Sequence, residues 1–504
     1  MASRLLLSVC LSLVFLPLSA QNNLDALRYS LLDINGSARV QAMGGAFSAL
    51  GGDVSSIGIN PAASAVFLDS QGSFGFGLNT QNNAQSYFGD VTNSRDHHLG
   101  LIHAGGVLVA ENAQIDSPWR KVSFGFNVNR QSDLTGEFIT SGVSQTSIGN
   151  FFQEQAQGIP LSDLQLYSGE SISSVYRYLG ETQGTDAQNA FLGYQGYIID
   201  PLIEDPTNTA YNTTAGPGGL RQNFTEYNRG EIQKYSLNLG TQYGQNLYLG
   251  INFNSHTLNF RSQTQFREFA LNPNNTNQSL VFENNLGVNG EGFSLQLGAI
   301  YLLPKRWRLS FTYDSPTWWN ITEETAQYLQ TNRLINNENV VTTVNPEILN
   351  VFDTYQLRTP GKIGAGLAYV FKQHGVISLE YGQKNYANAA LGPRSYTFYA
   401  AENKKIEQHF RNATMLKMGG EYRWNVWRLR GGLWHEQSPL KTSRNVGDYI
   451  GQSMGIGYSY GLMTIDLTYL RAERKREQVL FVEQNQISKQ QINNVMMCSI
   501  TLSL

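Results

Sequence analysis

From about residue 71 onward, apolar and polar side chains alternate with a period of two, as in strands that carry one apolar and one polar face. Near 247, Leu247, Leu249, Ile251 and Phe253 alternate with Tyr248, Gly250, Asn252 and Asn254. Near 293, Phe293, Leu295, Leu297, Ala299 and Tyr301 alternate with Ser294, Gln296 and Gly298. The last stretch sets Met496, Cys498, Ile500, Leu502 and Leu504 against Met497, Ser499, Thr501 and Ser503, so Cys498 reads as a small apolar residue, not a reactive thiol. The pattern predicts fourteen strands, near 71–80, 97–109, 119–138, 230–242, 245–265, 288–303, 306–314, 353–371, 375–387, 409–424, 426–436, 450–459, 462–474 and 490–504.

The connections carry as much information as the strands. Tight turns are expected at Tyr243-Gly244, Pro304-Lys305, Gln373-His374, Asn425-Val426 and Tyr460-Gly461. Between them lie polar stretches at 266–287, 315–352, 388–408, 437–449 and 475–489, and the longest connection, 139–229, has helical character around 161–179. Strict alternation of short and long connections is the habit of an all-β, transmembrane antiparallel β-barrel with short turns at one end and long loops at the other. Apolar faces would then meet lipid. Arg308, Asp314, Glu380, Lys417, Glu421, Arg423, Arg428, Arg430 and Asp466 fall on the other parity and would face the lumen. Trp307, Trp424, Trp427 and Tyr460 sit beside the tight turns and fit an interfacial aromatic girdle.

Composition narrows the classes further. The chain has 504 residues, of which 15% are charged and 12% aromatic, with 49 Gly and a net charge of −3. That balance leaves no electrostatic footprint for nucleic acid. Mean hydropathy is −0.30, and past residue 20 no apolar run is long enough for a membrane-spanning helix. Residues 1–20, with Arg4 ahead of a short apolar core and Ser19-Ala20 ahead of Gln21, form a secretory signal peptide with cleavage expected after Ala20. The expected destination is the bacterial outer membrane. Two cysteines, Cys10 and Cys498, make no disulfide scaffold, and no metal or cofactor is implied. No G-x-S-x-G elbow occurs, and the neighbours Ser255 and His256 would face opposite ways on a strand, so no enzymatic activity is expected.

The segment 21–70 does not alternate. It reads SARVQAMGGAFSALGGDVSSIGINPAASAVF over 37–67, rich in Gly, Ala and Ser, with Asn60-Pro61 suited to start a helix. Small residues interleaved with Met43, Phe47, Leu50, Ile57 and Ile59 suit a confined space, and the lumen of the barrel, 71–504, is the nearest one. This run resembles the N-terminal hatch of the FadL/TodX family of outer-membrane transporters for hydrophobic compounds, with Asn60-Pro61-Ala62 matching its Asn-Pro-Ala element and Leu357-Arg358-Thr359-Pro360 matching a recurring barrel feature. The resemblance implies a fourteen-stranded barrel plugged by Met43, Gly44, Gly45, Phe47, Gly51, Gly52, Asn60, Pro61, Ala62 and their neighbours. It implies capture of a hydrophobic ligand, such as a long-chain fatty acid, at the outer loops, passage past the hatch, and release sideways into the membrane without energy input. The chain ends in Leu504 where many such barrels end in an aromatic, a departure that bears on recognition by the barrel-assembly machinery.

Candidate ligand contacts follow from chemistry. Phe151 and Phe152, with Leu161, Leu164, Leu166, Tyr176 and Tyr178, could line an apolar capture groove or form that loop's own small core. Lys417, Arg423 or Arg428 could pair with a ligand carboxylate or with a lumen acid such as Glu421. Two alternatives share the scaffold. One is a haem receptor using His97-His98, although adjacent strand residues face opposite sides. The other is a docking platform for a secretion system. A basic cluster, Arg471, Arg474, Lys475 and Arg476, could meet lipopolysaccharide phosphates.

Overall fold

The computed structural model describes residues 23–504 except 115, 373, 443, 444, 483 and 484. The expected leader with Cys10, its cleavage after Ala20, and Gln373 of one expected turn lie outside the described residues.

Fourteen antiparallel strands close into a barrel. They are β1 Gln71–Tyr87, β2 Asp90–Glu111, β3 Trp119–Asp133 continued by Gly136–Ser144, β4 Leu220–Tyr243, β5 Leu247–Ala270 and β6 Asn277–Leu302. β7 runs as Trp307–Asp314 and Trp318–Ile335, and β8 returns in four pieces, Glu338–Val344, Asn350–Val351, Tyr355–Arg358 and Lys362–Val370. β9 is Gly375–Asn385 with Ala390–Gly392; then come β10 Asn412–Trp424, β11 Trp427–Glu436, β12 Val446–Tyr460, β13 Met463–Val479 and β14 Gln486–Ser503. β14 pairs with β1 from Gln71↔Ser503 to Tyr87↔Ile487, so the sheet leaves no free edge between first and last strands.

Only the turn-side part of the wall is apolar outside. On β5 the outward residues Leu247, Leu249, Ile251 and Phe253 give way to Ser255, Thr257, Asn259 and Arg261. On β7 the outward residues Leu309, Phe311, Tyr313 and Trp318 are followed by Asn320 and Thr322. An apolar band of this height matches the roughly 9–11 tilted residues that cross a bilayer. Its turn-side edge carries Trp307, Trp424, Trp427 and Tyr460, all exposed, and ring pairs Trp119–Tyr243 at 5.0 Å and Trp427–Tyr458 at 4.8 Å. Cys498 lies exposed within the band.

Beyond the band the polarity of the wall inverts. On β5 the inward residues change from Asn252, Asn254 and His256 to Leu258, Phe260 and Phe266, all buried. The strands therefore continue past the membrane as a sleeve with a polar outside and an apolar inside. This corrects the expected loops. Of 266–287 only 271–276 is connection, 315–352 is mostly strand, and 475–489 shrinks to 480–485. Short and long connections do not alternate strictly, because two-residue hairpins at 88–89 and 336–337 also close the loop end.

The longest connection narrows to 145–219 and folds as a cap: α1 Gly149–Ala156, α2 Leu161–Leu164, α3 Ile172–Thr182, α4 Thr185–Gln195 and a small hairpin, Ile199–Pro201 with Tyr211–Thr213. Its core joins the sleeve through Phe224, Phe266, Phe282 and Leu329. A further helix, Thr397–His409, covers the opposite side and packs with the N-terminal helix Asn23–Arg28.

Candidate functional site

The segment 23–70 lies inside the barrel and descends from the loop end to β1. Ser37 caps the short helix Ala38–Ala42 and also donates to Asp53 Oδ2 at 2.8 Å, folding the segment back on itself. Gly44-Gly45 and Gly51-Gly52 are both left-handed pairs, with φ of 62°, 70°, 65° and 68°, conformations that Gly adopts without a Cβ penalty. Asn60 caps the turn Pro61–Val66 by accepting from Ala62 N at 3.0 Å, with Pro61 at its start. Met43 and Phe47 are fully buried, and Phe47 packs with Val40, Leu50 and Val376.

The wall meets this segment with polar side chains and missing ones. Lys234 Nζ donates to Gly58 O at 2.8 Å, Asn252 Nδ2 to Ile57 O at 2.9 Å, Asn238 Nδ2 to Pro61 O at 2.9 Å and Arg308 Nη1 to Leu50 O at 2.6 Å. Arg39 pairs with Glu421 at 2.9 Å. Gly250, Gly298, Gly419 and Gly432 face inward where a Cβ would overlap Pro61, Asn60, Met43 and Gly44. The alternation seen in the sequence thus has a second purpose: its inward polar and glycine positions are shaped to the plug.

The segment divides the lumen. On its loop side a cavity of about 140 Å³ is lined by Lys234, Lys362, Lys384 and Lys417 together with Asp314 and Glu436. His256 Nδ1 and Trp319 Nε1, both on this cavity, have no hydrogen-bond partner among the described residues. Tyr29, Ser30, Leu32, Asp33, Ile34 and Asn35 of the N-terminal segment complete its lining. Lys417 faces this cavity and pairs with Glu380 at 3.6 Å. Arg423 and Arg428 face a different cavity at the turn end. There Arg423 bonds Glu421 at 2.8 Å and Arg428 donates to Thr464 at 3.3 Å. Of the three candidate cations, Lys417 and Arg423 are thus each paired with a lumen acid and Arg428 is bonded to a hydroxyl.

Phe151 and Phe152 are buried in the core of the cap. They are 3% and 0% exposed, and Phe152 stacks edge-on against Phe282 at 5.3 Å. Leu161, Leu164 and Tyr176 are buried with them, whereas Leu166 and Tyr178 are exposed. The basic cluster also splits, with Arg474 turned inward over the Tyr449 ring and Arg471 and Lys475 outward. His97 is exposed beside Thr80, while His98 lies on the other face, 3.9 Å from Asp133.

One feature escaped the alternation pattern. The β2–β3 ladder runs from Glu111↔Lys121 to His103↔Asn129 and stops. Loopward of it, the continuation Gly136–Ser144 pairs only with β4. It swings inside β1 and β2, so that Asn83 Nδ2 and Ser94 Oγ donate to Glu137 O at 2.9 and 2.6 Å. Side chains cross the interruption in place of a ladder: Asn79 of β1 donates to Asp133 at 3.1 Å, and His98 of β2 lies 3.9 Å from the same carboxylate. The sequence signal was the polar run Asn129–Asp133, where alternation lapses.

No protein-family model matches the chain, and no curated protein sequence matches it. Solved structures do. A Pseudomonas aeruginosa FadL homologue shares 11% identity over 94% of this chain and 99% of its own, with a TM-score of 0.56. The toluene transporter TodX of P. putida shares 12% over 94% and 99%, with a TM-score of 0.53. At such identities the likeness is one of fold, and that fold is the outer-membrane barrel of FadL and TodX.

Proposed function

We propose that this chain, built on the FadL/TodX barrel fold, is a passive outer-membrane transporter for hydrophobic small molecules, with long-chain fatty acids as the first candidates. The observation that carries this reading is a closed barrel whose lumen is occupied by its own N-terminal segment through bonds to inward polar residues. A permanently open pore has no use for such a plug. A route gated by plug movement does. Entry is at the loop end, between the cap and the helix Thr397–His409. Exit is sideways, at the interrupted β2–β3 ladder, beside a lipid-facing apolar groove of about 560 Å³ that includes Leu108, Phe124 and Phe126. Apolar solutes favour this exit because lipid lies on the far side of the wall. Arg471 and Lys475, facing outward, are placed to meet lipopolysaccharide, and the intact terminal strand β14 is the element offered to the assembly machinery.

The test is equilibrium binding of a labelled long-chain fatty acid to the purified protein in neutral detergent, with hemin as competitor. Saturable binding that hemin leaves in place supports the transporter. Tight hemin binding without fatty-acid binding would replace it with the haem receptor, and binding of neither, with secretion components recovered in stoichiometric amounts, would replace it with the docking platform.

A further inference from the structure

The turn end of the lumen holds a second cavity of about 540 Å³, roofed by plug residues Arg39 and Leu50–Asp53. Arg308, Lys372, Arg423 and Arg428 line its wall, and Arg430 lies behind them. The carboxylates here are Asp53, Asp69, Asp466 and Glu421, so the six cations outnumber them by two. Their pairing shows where the excess falls. Glu421 is shared by Arg39, Arg423 and Arg430 at 2.8–2.9 Å, and Arg430 takes Asp466 at 2.7 Å. Arg308 instead donates to the Leu50 carbonyl, and Arg428 to the Thr464 hydroxyl. Among the described residues neither is in an ion pair.

The geometry points to an anion site in this vestibule, held by Arg428 and its directly paired cross-strand neighbour Arg423 and taking a phosphate-type oxyanion. Each guanidinium carries five N–H donors in a planar fork that matches a phosphate edge, and one donor of each is spent on the protein. The oxyanion is either free or borne on a lipid headgroup. Leu68 and Leu462, 78% and 71% exposed on the rim, offer apolar surface to the chains of the second source. The site is on the opposite side of the plug from the lysine-lined cavity, and it stands or falls independently of hydrophobic transport.

The test uses the full mature protein in neutral detergent. The melting midpoint is followed against inorganic phosphate and against chloride at equal ionic strength, and retention of phosphatidylglycerol and of phosphatidylcholine is read by native mass spectrometry. Phosphate should raise the midpoint saturably, and R428Q should weaken that binding roughly tenfold, the loss of one charge-assisted contact. R423Q should do the same, and R428Q keeps the proposal testable if R423Q disturbs the ion pairs at Glu421. Selective retention of phosphatidylglycerol, lost in R428Q, assigns the headgroup as the source. A phosphate response alone assigns the free ion. Equal effects of phosphate and chloride with no lipid selectivity, or a selective response unchanged in R428Q, would overturn the site.

Discussion

Arg39 of the plug donates to Glu421 of β10 at 2.9 Å, on a carboxylate that also accepts from Arg423 and Arg430. The two partners are not equivalent. Glu421 is the shared counter-charge of three guanidiniums, and removing it strands buried positive charge, a loss on the order of 3–5 kcal/mol. Removing Arg39 leaves Glu421 with two partners but cuts the plug's bonds to the wall and to Gly52 O. Glu421→Gln should therefore lower the melting temperature of the barrel. Arg39→Ala should leave it nearly unchanged and instead raise small-solute leakage in liposome swelling. Equal melting losses would show that the pair serves barrel stability alone.

Inward glycines test the plug from the other side. A side chain at Gly250 would run into the backbone of Pro61 and Ala62, and one at Gly298 into Asn60. Overpacking of this kind costs about 1–3 kcal/mol, which the plug can relieve by moving whereas the hydrogen-bonded wall cannot. Gly250→Val and Gly298→Val should leak in the swelling assay, approaching a deletion of residues 37–65. Leakage at the native level in all three variants would mean that the segment does not seal the lumen.

How far this architecture was legible in the sequence depended on which face carried the signal. On β5 the apolar residues occupy odd positions from Leu247 to Phe253 and even positions from Leu258 to Phe260, so the phase of the alternation reverses without a break in the strand. Read as a single phase, the pattern ends where the membrane ends, and the sleeve looks like loops. The strand number survived because each membrane crossing keeps its own short run. The plug was legible through Gly44-Gly45, Gly51-Gly52 and Asn60-Pro61, whose local conformations need those residue types. Partners were not legible. Nothing local links Lys417 to Glu380 but separates it from Arg423, because register and strand tilt decide which inward side chains share a cavity.

The cap offers a separable test. Phe152 is fully buried between α4 and the β6 residue Phe282, so Phe152→Ala should cost about 3–5 kcal/mol locally. The cap should then become sensitive to limited proteolysis within 145–219, while the barrel keeps its heat-resistant mobility on a denaturing gel. If Phe152 instead contacts ligand, the variant would lose binding and keep the native protease pattern.

A pH dependence is expected outside the membrane band, where Glu323 of β7 is buried beside the N-terminal helix. Burial, reinforced by the nearby Asp25, pushes its carboxyl up to about 8. Its ordinary value in an unfolded chain is about 4.3. A raised value in the folded protein means that the native state holds the proton more tightly. This contribution is complete below the unfolded value and is lost as pH rises through the interval up to the folded one. The wild-type melting midpoint should fall across that interval, and Glu323→Gln, which keeps a hydrogen-bonding group for Tyr355, should flatten this part of the profile. An identical slope in the variant would assign the titration to another group.

The interrupted ladder makes the most direct prediction about the exit. On the loop side of His103, the backbone ladder of β2 is with β1 alone, and that of Gly136–Ser144 of β3 is with β4 alone. In an antiparallel strand with one neighbour, alternate amides lack a backbone acceptor. The amides of 90–102 and 136–144 that face the interruption should exchange with deuterium well ahead of those of β5, which is paired on both sides over its length. Fatty acid seated in the opening would shield these amides selectively, and it would leave the plug's contacts near Asn60 unprotected unless the ligand also passes there. Slow exchange throughout 90–102, equal to that of β5, would mean that the wall is continuous, and release would then have to run past the plug toward the turn end.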